Sequence, residues 1–181
     1  MKIRETSLPG VLVITPTVFR DDRGAFFETY NECAMVDAGL PQQWAQDNFS
    51  RSKKNVLRGI HYQISRPQGK LVRVTHGAVL DVAVDLRRSS PAFGRHFALE
   101  LTGGNAEMLW IPEGFGHGFL VLSEVAGFAY KVTDYYSSPA ERTILWNDPE
   151  LAIPWPIAPE NVIVSAKDAQ GATLKAAELF P

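Results

Sequence analysis

With 181 residues, 45% of them apolar, the chain is long enough to bury a core of its own and short enough to form one domain over residues 1–181. Its 18 Lys and Arg against 20 Asp and Glu leave a net charge of −2, which argues against nucleic acid as a partner but leaves room for a small anion held by a few cations. The single Cys33 can form no internal bridge, no apolar run reaches the length of a membrane span, and MKIRETSLPG has no apolar h-region, so the expectation is a cytoplasmic protein with no membrane partner.

In chain order, Pro9-Gly10 predicts a turn before a strand over residues 11–14. Asp21-Asp22-Arg23-Gly24 is a second turn, and residues 25–30 read as a strand carrying Glu28 among aromatics. Asn31 caps a short helix over residues 31–38, which Gly39-Leu40-Pro41 stops; residues 44–49 return to strand. Residues 56–87 hold the densest β-pattern. Leu71-Val72-Arg73-Val74 and residues 79–86 are rich in β-branched side chains, and Thr75-His76-Gly77-Ala78 between them predicts a tight hairpin. After the break at Ser89-Ser90-Pro91, strands are expected over 97–101, 108–111, 118–122 and 128–132. Pro112-Glu113-Gly114-Phe115-Gly116-His117 forms the loop between the second and third of these. The tail predicts a strand over 162–165 and a short helix over 173–179. Many short strands with evenly spaced turns imply an antiparallel sandwich or closed barrel.

Arg58, His61 and Lys70 fall within this β-rich stretch, so a rigid sheet would hold a base and a cation beside one substrate atom. His61 reads either as a general base or as a structural residue of the barrel wall. Arg58 and Lys70 are suited to stabilising an oxyanion formed when a proton leaves. Strict strand parity puts Arg58 and His61 on opposite faces; a bulge at Gly59 is required if both line one cavity. A metal centre would need an H-x-H pair, but the sequence reads His61-Tyr62-Gln63, so no metal is expected. His76 reads as an exposed turn residue and His96 as structural. His117, between two glycines, serves either a ligand or a tight turn. Tyr130 is either core or a proton donor, and Asp168 is either the partner that orients His61 or a turn acid.

Set in order, these motifs resemble the dTDP-4-dehydrorhamnose 3,5-epimerase family. The resemblance rests on Asp22-Arg23-Gly24-x-Phe26-x-Glu28, Gln46-Asp47-Asn48-Phe49-Ser50, Leu57-Arg58-Gly59-Ile60-His61-Tyr62-Gln63 and Gln68-Gly69-Lys70-Leu71-Val72-Arg73-Val74. It continues through Asp81-Val82-Ala83-Val84-Asp85-Leu86-Arg87, residues 111–119, Tyr130-Lys131, Trp146-Asn147-Asp148-Pro149 and Ser165-Ala166-Lys167-Asp168. The resemblance implies an all-β, cupin-type jelly-roll barrel with a few short helices, a homodimer and a cofactor-free, metal-free epimerase. Its substrate would be dTDP-4-dehydro-6-deoxy-glucose, a dTDP-4-keto-6-deoxyhexose. By the same likeness His61 is the base, Asp168 its partner, Tyr130 the acid on the opposite face of the sugar, and Lys70 the cation at the 4-keto oxygen. Arg23, Arg58 and Lys167 would sit near the diphosphate or sugar. Glu28, Gln46 and Asn48 would address the nucleotide end, with Phe26 and Tyr136 stacking on thymine, and His117 and Glu141 match further pocket positions. Gly116 stands where alanine is expected in many relatives.

The chemistry is consistent with that likeness. Loss of a proton α to a ketone makes an enolate, and stabilising its oxygen in a dry cavity supplies most of the rate gain. No flavin or nicotinamide is required, and no glycine-rich dinucleotide fingerprint is present. Competing readings are an epimerase of C3 or C5 alone, a metal-dependent cupin oxygenase, and a non-catalytic sugar-nucleotide-binding cupin.

Overall fold

A computed structural model describes residues 1–181. Thirteen strands run in chain order: β1 (Lys2–Glu5), β2 (Leu12–Thr15), β3 (Phe19–Asp21), β4 (Gly24–Phe26), β5 (Gln46–Lys53), β6 (Leu57–Gln63), β7 (Lys70–His76), β8 (Ala78–Asp85), β9 (His96–Thr102), β10 (Met108–Ile111), β11 (Phe115–Val121), β12 (Val125–Val132) and β13 (Glu141–Thr143). Two short helices, α1 (Glu32–Asp37) and α2 (Ala166–Ala169), and two single 3₁₀ turns complete it. No helix is long and apolar enough to cross a membrane.

Two antiparallel sheets face each other in the expected jelly roll: six strands in the order β1-β2-β10-β7-β12-β5 and five in the order β13-β6-β11-β8-β9. The central strands are covered on both faces, so they read as nearly continuous apolar runs. Between the sheets lie Val72, Val74, Val79, Ala83, Leu109, Phe119 and Phe128. The outer face of the five-stranded sheet carries Ile60, Tyr62, Val82 and Val84 beneath Leu151, Leu174 and Ala177 of the tail. The outer face of the six-stranded sheet carries Ile14, Leu71, Met108 and Trp110 under Met35 of α1 and Leu40.

Several elements differ from expectation. Residues 71–74 and 79–86 form strands but no hairpin, because β7 and β8 belong to different sheets. Gly77 (φ 79°) turns the corner between them. A Cβ there would meet Val125 O at 2.2 Å and Ser123 Oγ at 2.4 Å, so the corner is packed against the chain leading into β12. The strand expected over 25–30 ends at Phe26. Beyond it no neighbouring strand takes up the backbone groups, and Glu28 instead accepts a hydrogen bond from Asn31, the cap of α1. The glycine-flanked His117 lies not in a loop but in the middle of β11. In the tail, residues 162–165 make one parallel bridge, Val56 to Ile163, and Ser165 caps α2 instead of ending a strand. Residues 173–179 form a single turn, not a helix. Leu174 and Ala177 pack on the outer sheet face, while Ala172 and Phe180 bridge to Ile144 and Arg87 and hold the backbone extended on either side. Asp148 secures this tail: its carboxylate accepts the N–H groups of Glu150 and Leu174.

Candidate active site

The site begins with an irregularity in β6. Opposite β11, Arg58 pairs with Phe119 and His61 with His117, so three steps on β6 match two on β11. The extra residue is a bulge at Gly59-Ile60. Gly59 sits at φ 131°, and a Cβ on it would lie 2.5 Å from Gly118 Cα and 2.9 Å from His117 O. Only glycine fits both the dihedral and the space. The bulge turns Arg58 and His61 to the same face, and both line one cavity of about 270 Å³ between the two sheets.

His61 Nε2 lies 2.7 Å from Asp168 Oδ1, although the two residues are 107 positions apart. The His61 side chain is 30% exposed and that of Asp168 only 5%, so the imidazole faces the cavity and the carboxylate stands behind it. Asp168 lies on α2, where its N–H donates to Ser165 Oγ, and Gly59 N–H donates to its second oxygen at 3.4 Å. The bulge glycine therefore also serves the acid. Burial pushes the Asp168 carboxyl up, but the hydrogen bond and charge of His61 with the Gly59 N–H outweigh it, and the net direction is down.

Lys70 opens β7 on the facing sheet and is buried. Its Nζ donates to the carbonyl of His61 at 3.2 Å. Burial lowers its pKa to about 8, against the opposing pull of Asp81 and Glu141. His117 is buried, stacks on Phe128, and bonds through Nε2 to Asp81 Oδ2 at 2.9 Å. Burial shifts it down, with Lys70 and His61 adding to that, and outweighs the charge and hydrogen bond of Asp81, which pull it up. Tyr130, on β12 of the six-stranded sheet, reaches the same cavity from the side opposite His61, and burial raises its hydroxyl.

The rim is polar. Asn48 lies opposite Tyr130 across the β5–β12 ladder, and Gln46 Nε2 donates to Asn48 Oδ1 at 2.6 Å. Tyr136 donates through its hydroxyl to Glu141 Oε2 at 2.8 Å, and Glu141 also pairs with Lys167. Burial raises the Glu141 carboxyl, yet Lys167, Tyr136 and His61 outweigh it and bring it down. Arg58 Nε donates to Ser52 Oγ at 3.1 Å. Thus Arg58, His61, Lys70, His117, Asn48, Tyr130, Tyr136 and Glu141 line the cavity, with Gln46, Lys167 and Asp168 bonded to its lining. Arg23 and Phe26 do not: they sit on the separate β3–β4 hairpin, where Arg23 pairs with Asp21 and its side chain is 90% exposed. Glu28 follows that hairpin and also lies off the cavity.

Sequence reading gave no role to Gln63 or Asp81. Gln63, which entered only as a failed metal ligand and as part of a family motif, is buried, and its amide accepts from Ser137 N–H at 2.7 Å and donates to Arg66 O at 2.7 Å. It anchors the loop that carries Tyr136. Asp81 is fully buried beneath His117; an acid at a core-facing position of an apolar strand was the signal for it. No three His, Cys, Asp or Glu side chains converge as a metal-holding group.

The family model for dTDP-4-dehydrorhamnose 3,5-epimerase matches residues 5–176. The chain belongs to this family. The epimerase of Pseudomonas aeruginosa is 52% identical over 182 residues, covering 100% of both chains. The crystal structure of the Legionella pneumophila epimerase in complex with dTDP-4-keto-L-rhamnose superimposes with a TM-score of 0.93 at 47% identity, covering 96% of this chain and 93% of that one. A 3'-monoepimerase from Streptomyces bikiniensis, solved with dTDP-quinovose, has a TM-score of 0.88 at 31% identity, covering 94% and 87%. This chain thus shares its fold with a protein described as a 3'-monoepimerase.

Proposed function

We propose that the chain inverts C3 and C5 of dTDP-4-dehydro-6-deoxy-D-glucose to give dTDP-4-dehydro-L-rhamnose, in dTDP-rhamnose biosynthesis. The observation that carries this is the His61–Asp168 pair at 2.7 Å, facing Tyr130 across a cavity with Lys70 in its wall. The imidazole nitrogen not bonded to Asp168 takes the proton from a carbon α to the 4-ketone. The electron pair moves onto the keto oxygen, where the Lys70 ammonium meets the developing charge. Tyr130 then delivers a proton to the opposite face of that carbon; His61 gives its proton to solvent and Tyr130 regains one from solvent before the cycle repeats at the second carbon. Each cycle is redox-neutral and proton-balanced, so the chemistry calls for no cofactor. Arg58 offers a guanidinium to the sugar or diphosphate, and Gln46, Asn48 and Tyr136 offer polar and aromatic contacts on the rim.

The proposal includes a homodimer. The β3–β4 hairpin exposes Phe19 and Phe26 at 62% and 69%. Arg23, Phe26 and Glu28 can meet the roles proposed for them only if a second copy brings this region over the first copy's cavity.

An NMR time course with dTDP-4-dehydro-6-deoxy-D-glucose in deuterated water tests the reaction. Deuterium at both C3 and C5 is expected. Exchange and inversion at one carbon would select the monoepimerase reading, which the similarity to the 3'-monoepimerase favours as the alternative. No exchange from folded protein that still binds the nucleotide sugar would leave only a binding role.

A further inference from the structure

Asp81 has no part in the proton transfers above, yet it is fully buried behind the cavity, bonded to His117 of its lining. Its place follows from β8. Val79, Asp81 and Ala83 share the face that looks between the sheets; Val79 and Ala83 belong to the central core, and Asp81 opposes Phe119 on β11. A carboxylate in such surroundings is costly unless its charge is matched. One oxygen is accounted for by His117 Nε2, at 2.9 Å. The other, Oδ1, is buried with no hydrogen-bond partner in the protein. Lys70 is equally buried on the facing sheet, and its only hydrogen bond is to a neutral carbonyl.

Other charged and titratable groups share the cavity: Arg58, His61 and Tyr62 on β6, His117 on β11, Tyr130 on β12, Tyr136 on the loop after it and Glu141 on β13. Glu141 already answers to Lys167 and Tyr136. Burial lowers the pKa of His117 against the pull of Asp81, and what His117 offers Asp81 is a hydrogen bond. Arg58 is exposed, whereas Lys70 is the only buried Lys or Arg of the chain, which leaves Lys70 as the buried cation for Asp81 and Asp81 as the least committed anion for Lys70. Of the two carboxylates that act on Lys70, Asp81 has the larger effect.

We propose that Asp81 is a positioning residue that keeps Lys70 protonated and fixes His117 with its proton on Nε2, so that a charged ammonium is in place when the substrate oxygen becomes an enolate. This rests on the role proposed for Lys70 in the epimerisation. The arrangement gives one carboxylate two tasks: its bonded oxygen orients an imidazole, and its unbonded oxygen supplies charge to an ammonium.

The test is Asp81→Asn, which keeps the shape and an acceptor for His117 while removing the charge. With the anion gone, Lys70 should lose its proton at lower pH. The basic limb of the kcat–pH profile should move down by about one pH unit, with KM near that of the unaltered protein. Titration of the lysine Nζ signals by heteronuclear NMR, assigned with Lys70→Arg, reads the same change without turnover. Both moving together supports the proposal. An Nζ titration that moves while the kcat profile stays keeps the role of Asp81 and removes Lys70 from the chemistry. If neither moves in folded Asp81→Asn, Asp81 is only structural and the proposal falls. Should Asp81→Asn not fold, Asp81→Ser, which leaves room for water, is read the same way.

Discussion

His61 and Asp168 form the contact on which the proposed proton transfer turns, and each partner depends on the other differently. His61 needs the carboxylate to orient its ring, and Asp168 needs the imidazole and the Gly59 N–H to offset its burial. Replacing His61 by Asn should lower kcat by about 10²–10⁴-fold, the usual contribution of a positioned base, while binding of dTDP changes little by calorimetry. Equal loss of turnover and binding would point to a collapsed site. Asp168 also carries a stability signature. Its folded carboxyl binds a proton less tightly than the unfolded one, so its contribution is present above the ordinary carboxylate range, near about 4, and is lost as pH falls through the lower folded value. Chemical unfolding from pH 6 to pH 3 should therefore show a shallower loss of stability in Asp168→Asn than in the unaltered protein; parallel curves would remove the carboxylate from this linkage. The residue types at the site were legible from motif likeness. The pairing of His61 with Asp168 came from that likeness alone: the residues left Asp168 open as a turn acid, because 107 positions separate the two and their contact follows from α2 docking on β6.

Among the elements, β6 shows how one backbone irregularity can serve chemistry. Parity alone required a bulge at Gly59 if Arg58 and His61 were to share a cavity, and the register slip against β11 lies there. Gly59→Ala would have to place a Cβ 2.5 Å from Gly118 Cα at φ 131°. We expect it to cost about 2 kcal/mol or more in denaturant unfolding and to lower kcat sharply, since Arg58 and the N–H donor to Asp168 move with it. A variant of unaltered stability and activity would show that the bulge can be formed another way. Gly116 is tight for a different reason: an alanine Cβ would meet Ile60 Cγ2 at 2.5 Å, so this glycine is matched to the bulge residue beneath it. Strands with β-branched runs, such as 71–74 and 79–86, were readable because local pattern decides strand formation. Which sheet each joins was not, because the turn at Gly77 looks the same whether the chain folds back or turns a corner. The tail was misread for a related reason. Its apolar residues at near-helical spacing are spent on the outer face of the five-stranded sheet, and backbone bridges to Ile144 and Arg87 compete with a helix.

At the scale of the whole molecule, the β3–β4 hairpin is the part that one chain leaves unexplained. It holds together through three residue pairs, and its exposed Arg23–Asp21 ion pair contributes little by itself. Two aromatics that are more than half exposed on so small an element call for a covering surface. In the proposed dimer each hairpin would cover the other subunit's cavity, so a complete site would draw on two chains. That predicts complementation. His61→Asn lacks the base but has a sound hairpin; the double change Arg23→Ala with Phe26→Ala has a sound base but a defective hairpin. Mixed, dissociated and reassembled, half of the dimers would be hybrids. In each hybrid one site joins the intact His61 of one chain to the intact hairpin of the other, so about one quarter of all sites should regain full function. Activity of the mixture above the sum of the two variants alone, with a dimer in sedimentation, is the expected result. Strict additivity would mean that each cavity works with its own chain only. The hairpin aromatics would then need a different cover.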